Sequence, residues 1–237
     1  MSTEYNGIDH NLSIDKTHKF FDHFHFCDCW DCQRYGVPIL NEVYIKGQLE
    51  YWFEIPKNAS TSIKNYKEFY RACVKESYHP GKLYHELDDT IVPIVVYNDP
   101  IKRFISLCND YFSPHHCNKH SEIGHILLYK SGAIKKEDSV NVLSPEEKLK
   151  SIFSIFHKIK SKCSVHHFYP QTFFIDTDKF KNFELVPISE VNKRFDIEGN
   201  YWNVSSKHMK VEHLSNEQIE FLKDLYSDDY QFISKHK

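Results

Sequence analysis

Tyr51–Lys64, YWFEIPKNASTSIK, changes character at its midpoint. Tyr51, Trp52, Phe53 and Ile55 form an apolar, aromatic run that predicts a buried strand, and Pro56 ends it because proline has no N–H to give to a ladder. Lys57, Asn58 and Ala59 lead into Ser60, Thr61 and Ser62, residue types suited to helix N-caps. Ile63, Tyr66, Tyr70 and Cys73 then recur at helical spacing. The expectation is strand, turn, helix. Such a turn gathers backbone N–H groups, the positive end of a helix dipole, hydroxyls and the Lys57 ammonium around one point, which suits a phosphate or sulfate. An ordinary strand-to-helix connection with a surface lysine fits the same residues equally well.

Glycine separates this loop from the common nucleotide-binding turns. A Walker A loop needs G-x-x-x-x-G-K-[ST] so that the backbone can wrap phosphates, and the dinucleotide fingerprint needs G-x-G-x-x-G. The chain has seven glycines and none between Gly47 and Gly81, so an anion bound here is held by hydroxyls and lysine.

A second stretch, IVPIVVYNDPIKRFISLCNDYF, begins with a β-branched run over Ile91–Tyr97, as in a central parallel strand. Asp99 and Pro100 then supply an N-cap and a proline at the first helical position. The helix buries Ile101, Phe104 or Ile105, Cys108 and Phe112; Arg103 and Ser106, one turn apart, share a face from which both reach one phosphate. Before this stretch, residues 42–50 alternate as a strand or hairpin arm, and ESYHPGKLYHELDD reads as a loop containing His79, His85, Glu86, Asp88 and Asp89. After it, residues 113–140 read as an irregular excursion of the kind that covers an acceptor site. Ser144, Pro145 and Glu147 open a capped helix. Thr172–Ile175 predicts a third strand and Glu184–Ile188 a fourth; Ser215 and Gln218 cap a final helix.

IPKNASTSIK resembles the 5′-phosphosulfate loop, P-K-x-x-S-T-S, of sulfotransferases that use 3′-phosphoadenosine 5′-phosphosulfate (PAPS), the carbohydrate branch in particular. YNDPIKRFIS is similar to that family's 3′-phosphate motif, R-D-P-x-x-R-x-x-S, with Asp99, Pro100, Arg103 and Ser106 in place and Asn98 where the family has an arginine. Asparagine donates a hydrogen bond but brings no charge, which leaves Arg103 and Lys102 to compensate. His167, Phe168, Pro170 and Gln171 match an H-[WF]-x-P-Q segment, and Phe183, Glu184 and Leu185 an F-E-x-[LIV] segment. His167 and Gln171 either face the cleft or brace a strand, and bracing is preferred. The ending, Asn203–Phe232, resembles the family's L-S-x-E and L-Y-x-x-D-Y segments, with Lys207 and Lys210 as candidates to lie over the nucleotide. The resemblance spans Tyr51 to Phe232 in the family's order.

The resemblance implies a P-loop-like sulfotransferase fold: a three-layer α/β/α domain over residues 46–237 with a mainly parallel sheet, both phosphate motifs lying at strand carboxyl ends. It implies that Lys57 stabilises charge on the bridging oxygen as sulfuryl transfers to an acceptor hydroxyl or, less favoured, an amine. Lys57, Asn58, Ala59, Ser60, Thr61 and Ser62 would hold the 5′-phosphosulfate; Asn98, Arg103 and Ser106 the 3′-phosphate; Lys207 would cover the nucleotide. The acceptor, a small molecule or glycan, needs a base, assigned to His85 with Glu86, His79 and His167 as alternatives. No metal is required. Competing readings are a nucleotide phosphotransferase, weakened by the missing glycine-rich loop, and a non-catalytic, zinc-stabilised binding module.

Composition narrows the partners. The 237 residues suffice for a substantial core, and a net charge of −3 provides no basic field for nucleic acid. No run of about 18 apolar residues exists, and MSTEYNGIDHNLSIDK lacks the pattern of a signal peptide, so a cytoplasmic protein without a membrane partner is expected, unlike the family's anchored Golgi members. Seven cysteines, an odd number, fit reduced thiols. Residues 1–45 are expected to form a His- and Cys-rich N-terminal segment packed on the main domain. Within it Cys29 and Cys32 have C-x-x-C spacing, with Cys27, His25 and His23 nearby, but a second ligand pair is missing, so packed cysteines are preferred over zinc.

Overall fold

Two strands of alternating residues, β1 (Leu40–Ile45) and β2 (Gln48–Phe53), form a hairpin closed by Lys46 (φ 51°) and Gly47 (φ 79°). Left-handed backbone at both turn positions matches the twist of antiparallel strands, and Gly47 adopts it without steric cost. The computed structural model describes residues 38–66, 69–73, 87–113, 119–156, 166–197 and 209–237. These fall into two compact units, one taking the described residues within Phe104–Phe168 and Ser205–Glu220, the other those within Asp28–Arg103, Tyr169–Val204 and Phe221–Lys237.

The second unit is built on a sheet of order β3-β1-β2-β4-β5, with β3 (Phe69–Cys73), β4 (Ile94–Tyr97) and β5 (Glu184–Pro187). β2, β4 and β5 run parallel, whereas β1 pairs antiparallel with both β2 and β3. The parallel part thus carries both motif strands. Side-chain alternation gives the sheet two apolar faces. On one, Val43, Ile45, Trp52, Ile94, Val96 and Val186 pack with Ile63 of α1 (Ser60–Tyr66) and with Val191 and Phe195 of α5 (Val191–Phe195). On the other, Phe53 meets Phe180 edge-on at 5.8 Å, and Phe183 lies between Phe53 and Phe232 of α7 (Ser227–His236). Helices therefore cover both faces of the sheet in this α/β unit. Arg194 fastens α5 to the sheet by donating to both carboxylate oxygens of Glu50 on β2 and of Glu184 on β5.

The first unit is helical: most of α2 (Pro100–Tyr111), α3 (Lys119–Lys130), α4 (Pro145–Phe156) and the start of α6 (Asn216–Leu225). Phe104 packs against Phe153 and Phe168 with ring centroids 5.5 and 5.6 Å away, and Leu107, Leu128 and Leu149 are fully buried. Gly124 of α3 lies so close to α2 that a Cβ there would stand 1.8 Å from the Tyr111 carbonyl oxygen.

Three expectations change. The helix after Ser60 ends at Tyr66, and Phe69–Cys73, expected to continue it, is an edge strand on β1. Thr172–Ile175 is not a strand; Gln171–Phe174 is a 3-10 turn. The excursion 113–140 contains α3. The expected caps are present: Asp99 Oδ1 accepts from Lys102 N, Ser144 and Glu147 cap each other, and so do Ser215 and Gln218.

Candidate functional site

β2 ends at Phe53 and the chain turns through Pro56–Ala59 before α1 begins. The turn is tight: Asn58 N donates to Ile55 O at 3.2 Å, and Ile63 N to Ala59 O at 3.0 Å. Lys57 (φ 64°) and Ala59 (φ 61°) are both left-handed, a conformation costing an L-residue roughly 1–2 kcal/mol. Strain of this kind persists where surrounding contacts impose it.

Those contacts come from beneath the loop. Asn58, 1% exposed, directs its amide inward, where Nδ2 donates to Val96 O on β4 at 2.8 Å and to Gln171 Oε1 at 2.6 Å. Arg103, fully buried, donates from Nε to Pro56 O at 3.0 Å and from Nη1 to Tyr169 O at 2.9 Å. Through these bonds Asn58 and Arg103, expected as ligand-facing donors, serve carbonyls and Gln171 and hold the loop to the carboxyl end of the parallel strands. Ser62 is buried as well; Lys57 and Ser60 are half-buried and Thr61 is exposed.

Gln171 joins the second motif to the first. Its Oε1 also accepts from Asn98 N at 3.0 Å, while its Nε2 donates to Asn98 O at 3.0 Å and to Asp229 Oδ2 at 3.3 Å. Asp229 of α7, 1% exposed, further accepts from the amides of Gln171 and Thr172 and from Thr172 Oγ1. Burial raises the Asp229 carboxyl above the usual range, opposed by those amides and by the charge of Arg103. The neighbouring Tyr230 is pushed up to about 12 by burial and by Asp99 and Asp229. Preference for bracing at Gln171 is thus the arrangement found, whereas the bracing role of Asp229 was missed. Its signals were the D of the L-Y-x-x-D-Y segment and an acid on a helical face beside Tyr226 and Phe232.

On the other side of the loop, Glu54 accepts from Lys64 of α1, and Asn41 Nδ2 lies 3.5 Å from the same carboxylate, which secures the helix that follows the turn. Ser106 and His167 belong to the helical unit, where His167 Nδ1 lies 3.5 Å from the Tyr111 hydroxyl and its ring meets the Tyr111 ring edge-on. His85, Glu86, His79, Lys207, Cys27, Cys29, Cys32, His23 and His25 lie outside the described residues. Among the described residues no group of three His, Cys, Asp or Glu is placed to hold a metal ion, and no helix is long and apolar enough to cross a membrane. Cys108 is a buried free thiol whose pKa burial raises well above the ordinary value.

The arrangement is a preorganised, glycine-free turn at the carboxyl end of a parallel strand, where open α/β sheets bind ligands. It can offer Lys57 and the hydroxyls of Ser60 and Thr61 to an anion. Comparison of the chain with family models, with curated proteins and with solved structures yields no match.

Proposed function

We propose that this chain is a PAPS-dependent sulfotransferase that moves a sulfuryl group to an acceptor hydroxyl, a carbohydrate hydroxyl in first place. One observation carries the reading. The segments that resemble the family, around Asn58, Asn98, Gln171 and Asp229, are distant in sequence yet joined in one buried hydrogen-bond network at the strand ends. The strained Lys57–Ala59 backbone supports it, because such strain is characteristic of built sites.

PAPS fits the loop in charge and in the absence of any need for glycine, and when bound it supplies the activated sulfuryl group. Lys57 then neutralises the negative charge that grows on the bridging oxygen as the bond from sulfur to 3′-phosphoadenosine 5′-phosphate breaks. Ser60 and Thr61 orient the 5′-phosphosulfate. The acceptor oxygen forms the new bond to sulfur in line with the one that breaks, and its proton goes to a base, assigned to His85. Towards the 3′-phosphate the fit is poorer than in the family: Asn98 carries no charge and two donors of Arg103 are committed to backbone carbonyls. Lys102, exposed on α2, is a further cation within this motif.

Titration calorimetry with 3′-phosphoadenosine 5′-phosphate and with ATP tests the reading, followed by an acceptor screen with radiolabelled PAPS. Preference for the former with transfer to an acceptor is expected. Preference for ATP would favour a phosphotransferase, and silence with both a non-catalytic module.

A further inference from the structure

Beyond Asn98 the strand β4 has ended, yet the backbone of Asn98 still receives both rungs of a ladder. Its N–H donates to Gln171 Oε1 and its carbonyl accepts from Gln171 Nε2, each at 3.0 Å. A side-chain amide thus stands in for a neighbouring strand. The same Oε1 takes the 2.6 Å bond from Asn58, the residue between left-handed Lys57 and Ala59. An amide can do this only in one orientation, since its oxygen must meet two donors and its nitrogen two acceptors. Asp229 imposes that orientation, because its carboxylate only accepts and faces Nε2 at 3.3 Å. Asp229 is itself held by the amides of Gln171 and Thr172 at 2.8 and 2.9 Å.

We propose that Gln171, oriented by Asp229, is the positioning residue of this site: its amide fixes the end of β4 and the Pro56–Ala59 loop together and so imposes the left-handed backbone at Lys57 and Ala59. The inference rests on the sulfotransferase reading only for the identity of the ligand that the loop receives.

Two variants separate hydrogen bonding from packing. Gln171→Met keeps the volume and removes every side-chain polar bond. Gln171→Glu keeps the acceptor toward Asn58 and Asn98 N, but turns a second oxygen toward Asn98 O and Asp229. Two carboxylates in such contact cannot both ionise easily, so the introduced carboxyl titrates above its usual range and, once protonated, its single O–H can replace one of the two bonds that the amide donated, the one to Asn98 O. Asp229 of α7 contacts it directly, Arg103 of α2 acts on Asp229, and Tyr230 of α7 feels both Asp229 and Asp99 of α2.

Amide hydrogen exchange of Asn98 and of residues 58–63 is measured against wild type at each pH, together with calorimetric affinity for 3′-phosphoadenosine 5′-phosphate. Exchange in Gln171→Met is expected to exceed wild type at least about tenfold at Asn98, the effect of losing a buried hydrogen bond. In Gln171→Glu the Asn98 exchange should come closest to wild type at acid pH and depart from it as pH rises, with affinity falling in parallel. An exchange ratio near one in Gln171→Met, or a Gln171→Glu ratio independent of pH, overturns the inference. Should Gln171→Met not fold, the two pH extremes of Gln171→Glu decide alone. A wild-type protein that does not bind the nucleotide defeats the sulfotransferase reading, while the exchange measurements still decide the role of Gln171.

Discussion

At the scale of single residues, Lys57 and Arg103 have the same charge and opposite roles, and only burial tells them apart. Lys57 is half-buried on the strained turn, and in the proposed sulfuryl transfer its ammonium matters most as the bridging oxygen becomes anionic. Lys57→Ala retains a Cβ and hence the same backbone cost, so the fold should persist while turnover falls on the order of 10²- to 10³-fold. Steady-state kinetics beside a urea titration checks both halves, and undiminished turnover would remove Lys57 from the chemistry. Arg103 has zero exposure and bonds two carbonyls. Removing it leaves those two buried carbonyls unpaired and withdraws a positive charge from Asp229, which keeps its four hydrogen bonds, so Arg103→Ala should cost about 3 kcal/mol or more in urea unfolding. It should lower affinity for 3′-phosphoadenosine 5′-phosphate and for adenosine 5′-phosphosulfate alike; selective loss of the former would restore a direct 3′-phosphate contact. The sequence reading could not make this distinction, because the spacing that puts Arg103 and Ser106 on one helix face does not say whether that face meets solvent or the underside of a loop.

At the scale of elements, the strand, turn and helix around Pro56 and the helix after Asp99 were legible because proline, capping residues and β-branched runs act locally. The segments misread are those where distant partners decide. Ile63, Tyr66, Tyr70 and Cys73 have helical spacing, yet Phe69–Cys73 pairs with the free edge of β1, and Phe69 and Tyr70 are good strand formers. Thr172–Ile175 has strand composition, but the amides of Gln171 and Thr172 are taken by Asp229, and those of Phe173 and Ile175 by Pro170 O and Thr172 O. No N–H from these four remains for a ladder. Helix packing yields its own test at Gly124, where an added Cβ would meet the Tyr111 carbonyl at 1.8 Å and the Phe112 ring at 3.2 Å. Backbone cannot yield as a side-chain tip can, so Gly124→Ala should destabilise by roughly 1–3 kcal/mol or more despite its better helix propensity. A thermal melt no lower than wild type would show that α2 and α3 separate without penalty.

At the scale of the whole molecule, the sequence named four segments and their order, whereas their meeting at one buried carboxylate depends on tertiary placement that no spacing encodes. That carboxylate gives the chain a pH signature. Burial sets the Asp229 carboxyl above its ordinary value of 3.8, against the pull of its amide donors and Arg103. A carboxyl raised in the folded state binds its proton more readily folded than unfolded, so its stabilising contribution is complete below the unfolded value and is lost as pH rises through the folded one. Lowering the pH from neutrality towards 3.8 should therefore raise wild-type stability relative to Asp229→Asn, in which position 229 does not titrate. Urea unfolding of both proteins across that range gives the difference directly, and carboxylates common to the two cancel from it. A difference that instead narrows as pH falls would mean that Arg103 and the four hydrogen bonds outweigh burial, making Asp229 an ion-paired carboxylate whose loss of charge, rather than its retention, loosens the loop it holds.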